Sequence, residues 1–338
     1  MAIPSDIGRA RGVTPSPQDH SARRFMAAAA VFVLIGALLY SGVWIATDRL
    51  VYQYAQRNRF YQIRVASQPR YDHVILGASH AAALDYQDMT PTLERMAGAH
   101  VMNLSTVGGG VTVNRIVLEY FLERRQAGHL VYVVDSFAFY SRQWNEDRVK
   151  DAKLFARAPF DAALARVLFR HAGTRMVGLD YVLGFSKINN RDRFAPDTHA
   201  DEGTRFTRTY RPVAQIDEQR FAYLYPSVID PGVVAKYLAE LEELLRFAAS
   251  RGLRVTVIKP PLPERVYDRL PDEAAFDARL REALARNTVA FRDFSQVSND
   301  PAFFYDTDHL NRTGVLAFFE THLVPLLTSS MRAVTGPA

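Results

Sequence analysis

A serine, a histidine and a carboxylate of the kind used in acyl chemistry lie in two short runs near opposite ends of the sequence. Residues 72–79 read Asp-His-Val-Ile-Leu-Gly-Ala-Ser, a buried-strand pattern that ends in Gly-x-Ser. Residues 306–309 read Asp-Thr-Asp-His, on a predicted loop before the last helix. These residue types supply a nucleophile, an orienting carboxylate and a general base. We therefore expect Ser79, Asp306 and His309 to be catalytic.

The surroundings of each motif give this expectation a physical reason. A strand that stops at Gly77 leaves Ser79 at the carboxyl edge of a sheet, where backbone N–H groups can stabilise an oxyanion. A carboxylate three residues before His309 can bond to one ring nitrogen and leave the other for Ser79. Asp308 is a competing carboxylate. Because neighbouring residues on a helix point apart, we expect His80 at the surface or at the pocket rim.

Each motif also has a simpler interpretation. Gly-Ala-Ser can form the turn after a strand, and Asp-x-x-His can belong to a loop that caps a helix. Either motif alone favours this structural interpretation. The two together, in this order along one domain, favour catalysis.

The two runs resemble the first and last sequence blocks of the SGNH (GDSL-like) hydrolase superfamily. A middle segment, Asn-Leu-Ser-Thr-Val-Gly at residues 103–108, resembles the second block, in which a glycine lies five residues after an asparagine. The resemblance covers about residues 71–137 and 232–327. It implies that the backbone N–H groups of Ser79 and Gly108 bind the oxyanion, and that Asp306 rather than Asp308 orients His309.

The third block of that superfamily, Gly-x-Asn-Asp, has no counterpart here, because the corresponding strand ends in Asp135 and Ser136 without an asparagine. This block is also degenerate in the membrane-anchored envelope branch, which includes the DltD-like proteins and the alginate O-acetylation proteins. Resemblance to that branch implies acyl transfer to an exported polysaccharide or envelope glycan. It also implies an integral-membrane acyltransferase partner.

Three further residues are candidates for the pocket wall. Asp135 and Ser136 follow the third predicted strand, and Lys259 ends the fourth, just before Pro-Pro-Leu-Pro. Prolines make that segment a rigid extended loop at the same sheet edge.

Composition excludes several classes of protein. The chain has 338 residues and no cysteine, so disulfides, thiolate zinc sites and cysteine nucleophiles are excluded. Glycines 108–110 lack the Lys-Ser/Thr of a P-loop and the spacing of a dinucleotide site, and we expect no cofactor and no metal. The net charge of +5 has no basic stripe or nucleic-acid motif, so we expect no nucleic-acid partner.

The segment from 25 to 47 carries no charge over 23 residues and is long enough to span a bilayer as a helix. It is longer than the apolar core of a signal peptide. We expect a disordered cytoplasmic tail at 1–24, a juxtamembrane linker helix at 48–70 and an extracytoplasmic domain at 71–330. The expected location is the bacterial inner membrane, with the domain on the periplasmic side.

The domain alternates short β-branched runs with helical patterns. We predict strands at 72–77, 100–105, 129–135, 254–259 and 288–293, which form a parallel sheet in a three-layer α/β/α sandwich. Ligands of such sheets bind at the carboxyl ends of the strands. An insertion at 138–231 is rich in aromatic residues. It is either a sugar-binding element or a helical cap with its own core, and for any single aromatic we favour the cap.

Two other functions are consistent with the sequence. One is a simple deacylating esterase. The other is a non-catalytic adaptor or glycan-binding subunit of a membrane complex, which the missing third-block asparagine favours.

Overall fold

The structure is a computed structural model that describes residues 17–191, 204–298 and 300–332. The chain divides into two compact units, residues 1–47 and 48–338. The first helix, α1 (Pro17–Tyr54), begins in the first unit and ends in the second. Its segment Ser21–Tyr54 contains an 18-residue window with a mean hydropathy of 2.2, and the segment is long and apolar enough to cross a membrane.

The start of α1 differs from the sequence-based expectation. We predicted a disordered tail over residues 1–24, yet residues 17–24 form the first turns of α1, with Pro17 at the first helical position, which suits proline. Residues 1–16 of the predicted tail lie outside the described residues.

Two helices replace the single linker helix predicted at 48–70. After α1 ends at Tyr54, α2 (Arg59–Val65) begins afresh, because the Asn58 side chain accepts hydrogen bonds from the N–H groups of Phe60 and Tyr61. Such an N-cap starts a new helix in a new direction.

Five parallel strands form one sheet in the order β2-β1-β3-β4-β5. This confirms the predicted parallel sheet, and every observed strand falls within three residues of its predicted bounds. The strands are β1 (Arg70–Leu76), β2 (Val101–Asn103), β3 (Gln126–Val133), β4 (Arg254–Lys259) and β5 (Ala290–Asp293).

Helices cover both faces of the sheet, as the three-layer prediction requires. Successive strand residues enter different cores, as in β1, where Val74 and Leu76 pack on one side and Ile75 on the other. This alternation follows from the two-residue period of a strand.

The remaining helices of the second unit are mostly short. Those before β4 are α3 (Ser79–Ala83), α4 (Met89–Ala97), α5 (Val111–Arg124), α6 (Phe137–Tyr140), α7 (Glu146–Lys150), α8 (Ala152–Ala156), α9 (Ala162–Arg170), α10 (Arg175–Leu183), α11 (Phe185–Asn189), α12 (Ala214–Leu224) and α13 (Pro231–Ser250). Those after it are α14 (Glu264–Tyr267), α15 (Glu273–Arg286), α16 (Arg312–Phe318) and α17 (Val324–Arg332). Single 3₁₀ turns lie at Arg142–Trp144, Ala172–Thr174 and Pro301–Phe303.

The final helix is interrupted. A π-helical turn at Phe319–Leu323 separates α16 from α17, and Pro325 is the second residue of α17. Proline lacks an N–H group and crowds the preceding turn, and a widened turn just before it removes that conflict.

Candidate active site

Ser79 lies at the carboxyl edge of the sheet, where β1 gives way to α3. At this point the backbone of Gly77 lies close to β3. A Cβ on Gly77 would lie 2.9 Å from the carbonyl oxygen of Val133 on β3. No larger residue fits that position. Ser79 is the first residue of α3 and is 5% exposed.

Asp306 and His309 form a pair on the loop before α16. The Nδ1 atom of His309 lies 2.9 and 3.0 Å from the two carboxylate oxygens of Asp306, and the backbone N–H of His309 donates to Asp306 at 2.8 Å. The ring of Tyr305 stacks on the imidazole at 5.6 Å between centroids. These contacts fix the ring so that Nε2 is the nitrogen left for a substrate or nucleophile.

One open cavity of about 580 Å³ contains Ser79, Gly108 and His309. Within the described part of the chain, however, the Ser79 hydroxyl has no hydrogen-bonding partner, so no bond to His309 is formed. The Nη2 atom of Arg220 lies 3.4 Å from Nε2 of His309. Nucleophile and base therefore line one cavity without a hydrogen bond between them.

Gly108 has the backbone geometry expected of an oxyanion donor. Its φ angle of +66° lies in the left-handed region that favours glycine, and a Cβ there would approach the Trp144 ring at 3.3 Å. Among the described residues, neither its N–H nor that of Ser79 has a backbone or side-chain acceptor. Both are therefore free to bind an oxyanion.

Asn103, at the end of β2, supports this arrangement rather than facing the cavity. Its side chain donates to the carbonyl oxygen of Ala81 at 2.7 Å and accepts from the N–H of Ser105 at 3.0 Å. It thereby joins α3 to the loop that carries Gly108.

Asp308 belongs to a buried network of charges. It accepts from Nε and Nη2 of Arg220 at 3.0 to 3.1 Å, and it lies 3.3 Å from Nδ1 of His309. Burial opposes its charge, but Arg220 and the neighbouring histidines outweigh that effect and hold the pKa of Asp308 well below its usual range. Asp308 is thus an anion paired mainly with Arg220.

His80 is buried, contrary to the expectation of a surface or rim position. Its Nδ1 donates to Asp135 at 2.7 Å, and its Nε2 lies 3.5 Å from Asp308. Burial disfavours the imidazolium, but the two carboxylates outweigh it and raise the pKa of His80 to about 10. His80 is therefore a cation at neutral pH, which disqualifies it as a base for Ser79.

The three candidate pocket residues line a different, smaller cavity. Asp135, Ser136 and Lys259 line a space of about 20 Å³ together with His80 and Asp308, and none of these five residues lines the Ser79 cavity. That volume holds about one water molecule. Lys259 pairs with Glu273 and with Asp277 at 2.6 Å. The sequence placed these three residues in the wall of the pocket at Ser79, and the structure places them in this neighbouring space instead.

A cation site can be considered at His80, Asp308 and His309, whose donor atoms lie within 4.8 Å of one another. The group does not fit a metal, because the Arg220 guanidinium already neutralises Asp308 and the raised pKa of His80 keeps that ring protonated. The three residues instead form a charge network around Arg220.

Residues of the 138–231 segment complete the cavity. Trp144 and Tyr223 meet edge to face at 5.1 Å on its wall, and Arg148 pairs with Asp151 at 2.6 Å. Sequence analysis placed both aromatics within the aromatic-rich insertion without assigning them to the site, and it missed Arg148 and Arg220. Other aromatics of this segment, such as Tyr140, Phe155 and Tyr181, are core residues as favoured.

Comparisons with known proteins give few matches. No family model matches the chain, and no curated protein matches it. Among solved structures, the chain is similar to a protein of Bacteroides fragilis NCTC 9343 described as a "putative acylhydrolase". The two are 11% identical, with 81% of this chain and 98% of the other covered and a TM-score of 0.40. At this level of similarity, neither protein indicates the fold or the activity of the other.

Proposed function

We propose that this chain is a membrane-anchored serine acyltransferase or esterase of the SGNH type. The observation that carries the proposal is the meeting of Ser79, Gly108 and the Asp306–His309 pair in one cavity at the carboxyl edge of a parallel sheet. This is the edge at which such sheets bind ligands.

The residues assign a mechanism. His309 accepts the hydroxyl proton of Ser79 on Nε2, and Ser79 attacks the carbonyl carbon of an acyl donor. The N–H groups of Ser79 and Gly108 bind the oxyanion, and Asp306 holds the imidazolium. Protonated His309 then gives its proton to the leaving oxygen, which yields an acyl-serine. An acceptor hydroxyl, deprotonated by His309, takes the acyl group and regenerates Ser79.

Substrate binding must bring Ser79 and His309 together. Catalytic hydrogen bonds are often long without substrate and shorten in the complex. Here the shortening requires Nε2 of His309 to exchange its contact with Arg220 for one with Ser79. Arg220 can make this change and still keep its two bonds to Asp308.

We propose that the acceptor is an exported polysaccharide or another glycan of the cell envelope. The cavity is large enough for a sugar, and Trp144 and Tyr223 provide aromatic surface on its wall. The proposed location is the bacterial inner membrane, with the N-terminus cytoplasmic and the domain periplasmic. An integral-membrane acyltransferase would be the partner that supplies acyl groups.

A non-catalytic adaptor is the second candidate. It is favoured by the missing bond between Ser79 and His309 and by the position of Arg220 at Nε2. In that function the cavity would bind a glycan or a partner without forming an acyl-serine.

Genetic replacement in the producing organism separates these functions. If the chain transfers acyl groups, Ser79→Ala and His309→Ala will abolish O-acylation of the envelope glycan while the protein stays at normal abundance. If it is an adaptor, both variants will acylate normally and only deletion will abolish acylation. Increased acylation in both variants would indicate the deacylating esterase.

A further inference from the structure

An apolar surface on α10 and α11 is exposed, and no residue within the described ranges 17–191, 204–298 and 300–332 covers it. Its members are Met176, Leu179 and Phe185, whose side chains are 75%, 42% and 64% exposed. The opposite face of α10 carries Gly178 and Tyr181, which are buried. The helix therefore packs one face against the protein and also presents large apolar side chains on the opposite face, where an ordinary surface helix carries polar residues. We call the three exposed residues the α10–α11 face.

This face adjoins the point at which the apolar run of α1 ends. Asp48 is the first charged residue after the charge-free segment 25–47. Its carboxylate accepts from Nζ of Lys187 on α11 at 2.6 Å and from the N–H of Phe160 at 2.8 Å. Phe160 in turn stacks on Tyr181 of α10 at 5.8 Å. Asp48 is thus bonded directly to α11 and is linked to α10 through Phe160.

The position of Asp48 indicates the height of α10 and α11 relative to a bilayer that α1 would cross. If α1 crosses a bilayer, the first charged residue after its apolar run lies at the headgroup level. Lys187, bonded to Asp48, lies at that level too, and Phe185 is two residues away along α11. An exposed apolar face at that height meets lipid rather than bulk water.

We propose that the α10–α11 face inserts into the interfacial layer of the membrane that α1 crosses. The insertion gives the domain a second attachment besides its covalent link to α1, and so a fixed orientation. The inference goes beyond the proposed function, because it depends on α1 spanning the membrane and not on any chemistry at Ser79.

The proposal also fixes which edge of the sheet faces the membrane. Phe160, bonded to Asp48, accepts from Arg64, and the carbonyl oxygen of Arg64 accepts from Arg125 just before β3. The membrane side is therefore the amino edge of the sheet. Ser79 lies at the other edge, about 20 Å away for a strand of seven residues. Substrates consequently reach the site from the aqueous side.

Single-cysteine labelling tests the proposal, since the natural chain has no cysteine. Met176→Cys and Phe185→Cys, made separately in the full chain, would carry an environment-sensitive fluorophore. The chain would be reconstituted in vesicles of phosphatidylethanolamine and phosphatidylglycerol at about 3:1. Val228→Cys is the matched control, because Val228 is an apolar residue 78% exposed on the loop before α13. Leu34→Cys, in the middle of the apolar run, reports whether α1 spans the bilayer.

The expected result is that lipids with a headgroup-proximal spin label quench the probes at 176 and 185 at least twofold more than the probe at 228. Aqueous iodide should show the opposite order, and the probe at 34 should respond to lipid quencher only. Iodide quenching at 176 and 185 equal to that at 228 would overturn the proposal. Shielding from both quenchers would overturn it in favour of a protein cover, such as a second copy. A probe at 34 that lipid does not quench would overturn it by removing the span.

Discussion

Two carboxylates approach the same nitrogen of His309 but differ in their surroundings. Asp306 is 37% exposed at its side chain and pairs with His309, whereas Asp308 is 3% exposed and is held by Arg220. The difference assigns Asp306 to the orientation of the imidazole and Asp308 to the charge network. The sequence alone left these two residues open, because both lie within three positions of the histidine.

Replacement of Asp306 should impair the chemistry while leaving the fold intact. We expect Asp306→Asn to slow reaction of Ser79 with a serine-directed acylating or phosphonylating reagent by roughly 10²–10⁴-fold, because the tautomer of His309 is no longer fixed. The melting temperature should change little, since Asp306 is partly exposed. The rate of probe incorporation and a thermal melt measure the two effects.

The matched variant Asp308→Asn should lower the melting temperature, whereas Asp306→Asn should leave it nearly unchanged. It leaves the Arg220 guanidinium largely buried without its anion, and breaking a buried pair costs about 3 kcal/mol. If Asp308→Asn were as stable as the natural chain while Asp306→Asn lost stability, the two roles would have to be exchanged.

Gly108 should be sensitive to a single added methyl group. Gly108→Ala combines a left-handed φ of +66°, which costs an alanine about 1–2 kcal/mol, with a 3.3 Å approach to Trp144. We expect the N–H to shift and the rate of Ser79 labelling to fall at least tenfold. Gly98→Ala is the control, because Gly98 has a φ of +63° and open space around it. Equal labelling of the two variants would remove Gly108 from the oxyanion site.

Elements with regular periodicity were predictable from the sequence. The strands stood out as short β-branched runs, and α5 and α13 as apolar residues at helical spacing, because burial of one face imposes those periods. The positions of Ser79 and of the Asp306–His309 loop could then be predicted, because each lies at the end of an element that the local sequence determines.

Elements without such periodicity were not predictable. Arg220, on α12, lies 89 residues before His309 in the sequence. The residues next to each of them in the sequence do not predict the contact. The same applies to His80, whose burial depends on carboxylates of two distant loops. Side-chain pairing across the fold sets these positions, and a single sequence holds no direct sign of it.

A pair of histidines joins β1 to β3 at the amino end of the sheet. His73 and His129 lie opposite each other in the strand register, with their Nδ1 atoms 3.0 Å apart. One nitrogen must donate and the other accept, so the pair cannot hold two charges. Burial lowers the pKa of His73 to about 4 and that of His129, with the help of His73, to about 3.

The stability of the domain should therefore fall in mild acid. The folded pKa values lie below the unfolded value of 6.5, so the unfolded chain binds more protons between pH 6.5 and 4. The contribution of the pair is complete above pH 6.5 and is lost as the pH falls toward 4. At about 1.4 kcal/mol per pKa unit, His73 alone accounts for roughly 3 kcal/mol.

Melting of the full chain in detergent at several pH values between 4 and 7 measures this loss. A double variant, His73→Gln with His129→Gln, should flatten the dependence. His100→Gln, which removes a histidine from the protein surface, controls for the loss of one side chain. A double variant with the same pH dependence as the natural chain would show that the pair does not titrate on unfolding.

At the scale of the whole molecule, the two edges of the sheet differ in what lies beside them. Hydrogen bonds through Phe160 and Arg64 link the pair of Asp48 and Lys187 to the amino edge, and the open cavity of Ser79 lies at the carboxyl edge. On the proposed orientation, the rigid sheet holds the reactive serine at a set height above the membrane. A donor complex in the membrane would have to extend to that height.

Acyl transfer or hydrolysis at this site requires that Ser79 be an activated nucleophile. The decisive measurement is labelling of the detergent-solubilised full chain with a fluorophosphonate probe, alongside Ser79→Ala and His309→Ala. We predict covalent labelling at Ser79 in the natural chain and no labelling in either variant. A well-folded natural chain that takes up no probe would contradict the proposed acyl-serine chemistry, and it would leave the adaptor as the function that the site supports.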